Sequence, residues 1–184
     1  MKFDICVPMK EKRPIDFDIP YNRILISTAP SIPEARNELM KKVKTDWFWF
    51  IDDDIEVNMK WYNKIIKHID NEKIGAIGGY GLTKNIFINF IRFLLVRVRG
   101  TKDQKGFTSN TLIRRKAVKD IKLTQPYNED LELKQKIEKK GYIWLQTNAK
   151  CLHKKPAKKV IKDSWKYFKK IVREEGLWKA IMRI

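Results

Sequence analysis

Short apolar runs separated by polar stretches divide the chain into elements. Phe3 to Pro8 alternate polar with β-favouring side chains and predict a first strand, and Arg23 to Thr28 predict a second. Between them, Glu11 to Pro20 is polar and punctuated by proline, which predicts a loop. Ala35, Leu39, Met40 and Val43 then recur at helical spacing over Glu34 to Lys44, with Ser31 suited to the N-cap and Pro33 to the first turn. Trp47-Phe48-Trp49-Phe50-Ile51 is apolar without alternation, as a central strand covered on both faces must be. Asn58 is placed to cap a helix over Met59 to Ile69, whose inner face is Trp61, Ile65, Ile66 and Ile69. Ile74 to Tyr80 and Phe107 to Arg114 predict strands, Glu129 to Lys140 a helix ended by Gly141, and Tyr142 to Gln146 a strand. This alternation predicts a three-layer α/β/α domain on a mostly parallel mixed sheet.

From Lys154 the pattern changes. Residues 154–184 carry eleven Lys/Arg against three Asp/Glu, and Ile161, Trp165, Phe168 and Val172 follow a spacing of four, three and four. That predicts a basic amphipathic helix, interrupted near Gly176. The expected organisation is therefore a domain over residues 1–153 and a basic helical segment over 154–184. Packing on the domain, pairing with a second copy of the chain and lying in an anionic membrane interface all remain open for that segment.

The chain has 184 residues, enough for one domain with an appended tail, and its 43% hydrophobic and 11% aromatic content excludes wholesale disorder. Cys6 and Cys151 are too few for a disulfide framework, and with His68 and His153 they form no structural zinc spacing. The N-terminus turns charged and proline-bearing too early for a signal peptide, so the expected location is cytoplasmic. The most apolar stretch, Ile86 to Val98, is broken by Asn89, Arg92 and Arg97 and suits the inner membrane surface better than its interior. A net charge of +18 points to nucleic acid, anionic lipid or phosphorylated substrates without choosing among them.

Candidate chemistry begins at Asp52-Asp53-Asp54, which closes the tryptophan-rich strand. Ligands bind at the carboxyl edge of open α/β sheets, and residues i and i+2 of a strand point the same way, so Asp52 and Asp54 are placed to share a ligand. Two hard oxygen donors suit Mg²⁺ or Mn²⁺, which completes its shell with water and phosphate. A solvated acidic turn is the bland alternative, and a calcium loop fails because Val57 and Asn63 occupy its diagnostic positions. Glu129-Asp130 opens a helix, where capping alone would account for two acids, and a lone His153 is equally consistent with a structural role.

Four motifs in order carry a resemblance: Ala35-Arg36-Asn37; Trp47 to Asp54 ending in Asp-x-Asp; Gly106-Phe107-Thr108-Ser109-Asn110 with Arg114-Arg115; and Glu129-Asp130-Leu131-Glu132-Leu133 before Gly141-Tyr142. Over residues 3 to 153 the chain resembles family 2 glycosyltransferases of the GT-A, nucleotide-diphospho-sugar transferase-like fold. It is similar in its brevity to the minimal archaeal and viral forms. The resemblance implies an inverting, hexosyltransferase-like enzyme that moves a sugar from a nucleoside diphosphate to an acceptor hydroxyl, with a lipid-linked acceptor as one expectation. It implies that Asp52, Asp54 and His153 hold Mn²⁺ or Mg²⁺, that Asp130 is the general base, that Pro8, Arg36, Asn37, Asp52 and Asp53 line the donor pocket, and that Gly106 and Glu129 lie on the acceptor side.

Two departures matter. The Asp-Asp-Gly-Ser type turn that helps relatives read the nucleotide base is missing, with only Asp16 and Asp18 nearby, and so is the Gln-x-x-Arg-Trp element of processive synthases. A polymerising role is disfavoured and the nucleotide stays unnamed. The competing class is a basic nucleic-acid-binding or membrane-adaptor protein on an inactive transferase-like scaffold. Nucleic acid is disfavoured by the absence of helix-turn-helix, zinc-finger and RNA-recognition signatures. A phosphoryl transferase is disfavoured by the absence of a Gly-x-x-x-x-Gly-Lys-Ser/Thr loop.

Overall fold

The computed structural model describes residues 2–83, 108–125, 129–154 and 173. The apolar Ile86 to Val98 segment, Gly106 and, apart from Lys154 and Arg173, the expected C-terminal segment lie outside the described residues.

Seven strands, β1 (Asp4–Pro8), β2 (Arg23–Ser27), β3 (Trp47–Ile51), β4 (Ile55–Glu56), β5 (Ile74–Thr83), β6 (Asn110–Arg114) and β7 (Ile143–His153), form one sheet in the order β2-β1-β3-β6-β5-β7-β4. β1 pairs parallel with β2 and β3, and β5 parallel with β7; β6 runs antiparallel to β3 and β5, and β4 antiparallel to β7. Five strands thus point one way and two against them. The carboxyl ends of β1, β3, β5 and β7 share one edge of the sheet with the start of β6.

Helices α1 (Ile32–Lys42), α3 (Arg115–Val118) and α4 (Glu129–Lys139) cover one face and α2 (Met59–Ile66) the other. Strand alternation sorts the core accordingly. Trp47, Trp49 and Ile51 of β3 join Ile5 and Val7 of β1 against Trp61, Tyr62 and Ile65 of α2, with the Trp49 and Trp61 rings 4.5 Å apart. Phe48 and Phe50 join Cys6 against Leu39, Ala117, Val118, Leu133 and Ile137 of the other three helices. The apolar run Trp47 to Ile51 is the strand expected, and its lack of alternation reflects helices on both sides.

Local signals mark the helix boundaries. Ser31 and Glu34 form a reciprocal capping box at α1, and the Asn58 side chain accepts from the Trp61 amide at α2. α4 ends where Gly141 takes a φ of +84°, a conformation that glycine adopts without steric cost. α2 stops at Ile66, three residues before its expected end, because the chain tightens into His68-to-Ile65 and Ile69-to-Ile66 backbone bonds.

The largest departure is β7, which runs on from the expected Gln146 to His153. Its extension turns the small residues Thr147, Ala149 and Cys151 inward between exposed Asn148 and Lys150. Small inward side chains leave a faint hydrophobic signal. Neither β4 nor the four-residue α3 was expected from periodicity, since each is shorter than a detectable repeat. No helix among the described residues is long and apolar enough to cross a membrane.

Candidate active site

The carboxyl edge gathers ionisable side chains from five separate parts of the chain. β3 delivers Asp52, Asp53 and Asp54 in a turn fixed by two backbone bonds, Asp52 N–H to Ser109 O (3.0 Å) and Ile55 N–H to Asp52 O (3.0 Å). The short β4 then pairs Ile55 with His153, and the Lys154 amide donates to the Asp54 carbonyl at 2.7 Å. That pairing brings His153 Nε2 to 3.1 Å from Asp54 Oδ1 across 99 positions of sequence.

Asp52 meets a different partner. Arg36 reaches from α1 past the Phe50 ring, its guanidinium 5.7 Å from the ring centroid, and only 3% of its side chain is exposed. Its Nη1 donates to Asp130 Oδ1 (2.8 Å) and Glu129 Oε1 (3.1 Å), and its Nη2 lies 3.6 Å from Asp52 Oδ1. Asp130 Oδ1 also accepts from the Thr108 hydroxyl. Arg36 therefore links the acidic turn after β3 to the acidic first turn of α4.

Electrostatics follow from this crowding. Burial opposes the Arg36 charge, but Asp130, Asp52 and Glu129 outweigh it and raise the guanidinium above its ordinary value. Burial, reinforced by the neighbouring Asp130 charge, raises the Glu129 carboxyl despite Arg36. One cation facing three carboxylates leaves a net negative edge suited to a further cation.

Among the described residues no three carboxylate, imidazole or thiol groups form a ready-made metal cage. Asp54 and His153 nevertheless offer one hard oxygen and one imidazole nitrogen side by side, with Asp52 two residues away. Such a partial set suits Mg²⁺ or Mn²⁺, which fills the rest of its shell with water and phosphate oxygen.

The remaining sequence-derived residues divide. Pro8 is buried at the end of β1, on the same edge as the acidic turn. Asp53 is taken by Arg13 of the β1–β2 loop, which donates to its Oδ2 (2.9 Å) and its carbonyl (3.2 Å). Asn37 clamps the chain after α3, with Nδ2 donating to Leu123 O and Oδ1 accepting from Leu123 N–H, both at 2.8 Å. Sequence reasoning passed over Arg13 and Thr108. Thr108 stood inside a quoted motif, but nothing local distinguishes a catalytic-edge threonine from a core one.

A sheet covered on both faces, with carboxylates gathered around one buried arginine at its carboxyl edge, defines an α/β domain whose acidic edge is suited to a cation. The model of the family described as Glycosyl transferase family 2 matches residues 31–122, half of the chain, and the chain belongs to that family. No curated protein matches it significantly. Its fold is shared with solved structures of glucosyl-3-phosphoglycerate synthase from Mycobacterium tuberculosis. One, in complex with Mn²⁺, uridine diphosphate and phosphoglyceric acid, is 14% identical with a TM-score of 0.54 and covers 76% of this chain and 55% of that one. Another, with Mg²⁺ and uridine diphosphate, is 11% identical with a TM-score of 0.58 and covers 87% and 74%. The chain thus spans little more than half the length of the first of these.

Proposed function

We propose that the chain is a metal-dependent glycosyltransferase that moves a sugar from a nucleoside diphosphate to an acceptor hydroxyl with inversion. The observation that carries this reading is the meeting of Asp52, Glu129 and Asp130 around Arg36 at the sheet edge that also holds the Asp54–His153 pair, in a chain of this family. The uridine diphosphate and Mn²⁺ or Mg²⁺ bound by the structural neighbours support the donor class and the cation. Asp54 and His153, with Asp52 beside them, would hold Mn²⁺ or Mg²⁺; the bound cation supplies charge stabilisation for the departing diphosphate.

The chain's own residues do the rest. Asp130 accepts the proton of the acceptor hydroxyl, whose oxygen attacks the anomeric carbon from the face opposite the diphosphate. Arg36 bridges Asp52 and Asp130, and Arg13 pairs with Asp53 at the donor side. Glu129, partly buried beside Asp130, lies on the acceptor side. The 1–153 catalytic unit, the basic 154–184 segment that attaches it to the inner membrane face, and a lipid-linked acceptor belong to the same reading. Its support is the dense lysine and aromatic composition of that segment.

A thermal-shift panel of nucleoside diphosphate sugars, run with and without Mn²⁺, is expected to select one donor whose stabilisation requires the metal. Turnover of that donor is expected to fall by about 10²- to 10⁴-fold in Asp130→Asn and to be lost in Asp54→Ala. Undiminished turnover in both variants would discard the assignment.

A further inference from the structure

Among the described residues, both hydrogen bonds that reach the Asp130 carboxylate land on the same oxygen. Arg36 Nη1 donates to Oδ1 at 2.8 Å, the Thr108 hydroxyl donates to Oδ1 as well, and none of the described hydrogen bonds reaches Oδ2. A carboxyl held by one donor swivels about its terminal torsion, which is broad and roughly two-fold. Held on one oxygen by two donors from different elements, it loses both bonds at any turn short of the half-turn that exchanges its two equivalent oxygens.

We propose that Thr108 and Arg36 are positioning residues for proton transfer: they pin Oδ1 of Asp130 and so present Oδ2 to the acceptor hydroxyl. The inference rests on the sugar-transfer reading above and adds the orientation of its base. In the step it serves, the acceptor oxygen forms a bond to the anomeric carbon as the bond from that carbon to the diphosphate oxygen breaks. The electron pair leaves with the diphosphate, and the acceptor proton passes to Asp130 Oδ2.

Burial argues against a filler role for either residue. Thr108 is fully buried, yet its hydroxyl is spent on a carboxylate that is about one-third exposed and that water could solvate. Arg36 is buried to the same degree as core leucines, its Nε has no hydrogen-bond partner among the described residues, and its head group is shared among Asp130, Glu129 and Asp52. Burying a guanidinium with one nitrogen unserved is costly, so its placement reflects what the head group holds. The two donors also arrive from different elements. Thr108 stands just before β6, and Arg36 stands on α1, so the orientation of Asp130 is set by the fold and does not depend on α4 alone.

The test compares the full-length wild type with Thr108→Val, which keeps shape and removes the hydroxyl, and Thr108→Ser, which restores it. With the nucleotide sugar selected by the panel and Mn²⁺, Thr108→Val is expected to lose about 10- to 100-fold in kcat while donor KM stays within about twofold, and Thr108→Ser to recover most of the loss. An unchanged kcat in Thr108→Val, a Thr108→Ser variant as impaired as Thr108→Val, or a loss confined to KM overturns the proposal. A ligand-free crystal structure of Thr108→Val is expected to show the Asp130 carboxyl turned from its wild-type orientation; an unmoved carboxyl overturns the proposal without reference to turnover. Absence of turnover in the wild type overturns the sugar-transfer reading instead, and the crystal structure then decides the tether by itself.

Discussion

Arg36 is where the energetics of the edge concentrate. Three carboxylates within 3.6 Å of one buried guanidinium repel one another, and that cation offsets the repulsion. Replacing one partner of a buried ionic cluster costs about 3–5 kcal/mol, because the charges left behind are desolvated and unpaired. Arg36→Met is therefore expected to lower stability by that amount in urea denaturation, with added Mn²⁺ recovering part of it by neutralising Asp52 and Asp54. A loss under about 1 kcal/mol would show that the carboxylates are relieved in some other way. At this scale Asp52, Asp54, Asp130 and His153 were readable as chemistry-bearing types, but Arg13 and Thr108 were not. Their roles come from contacts made across 40 and 22 positions of sequence.

Between elements, the joints are buried carboxylates. Burial works against the Asp4 charge, but hydrogen bonds from Arg23, the Lys44 amide and Asn22 hold its carboxyl at about 2 and tie β1 to β2 and to the end of α1. Burial likewise opposes Glu132, which Lys136, the Gln125 and Thr124 amides and the Thr124 hydroxyl bring down to about 2, tying α4 to the loop after α3. Both folded-state values lie below those of the unfolded chain, so their stabilisation is complete above about pH 5 and is lost as pH falls through about 4 toward 2. Each shift is worth on the order of 2 kcal/mol. Urea midpoints are expected to drop steeply between pH 5 and 2.5, and the double variant Asp4→Asn, Glu132→Gln to be weaker at pH 7 with a much flatter acid limb. An equally steep limb in the variant would shift the cause to other carboxylates. Periodicity predicted the helices joined here, and α1 began at its expected cap, but it could not foresee that β7 continues to His153.

For the whole molecule, excess charge is the unspent feature. The candidate active edge is acidic, while a groove of about 1090 Å³ at the opposite edge sets Lys41, Arg115, Lys116, Lys119 and Lys122 against two acids, Asp46 and Asp120. The basic residues 154–184 add to that asymmetry in sequence. Under the proposed membrane attachment, the full chain is expected to co-sediment with vesicles containing anionic phospholipid at moderate salt, and deletion of residues 157–184 to abolish this. Unchanged binding by the shortened chain, or none by the full one, would defeat the attachment.

By itself the sequence determined the layers of this protein. Helical and strand periodicities, the caps at Ser31 and Asn58, the stop at Gly141 and the doubly covered run Trp47 to Ile51 are local consequences of side-chain shape and burial. It also exposed the acidic triplet and the Glu129-Asp130 pair, because adjacent carboxylates are conspicuous wherever they fall. Only the tertiary structure decided which groups meet. Arg36 reaches Asp130 across 94 positions and His153 reaches Asp54 across 99, and such contacts depend on strand order and register, which no local pattern encodes.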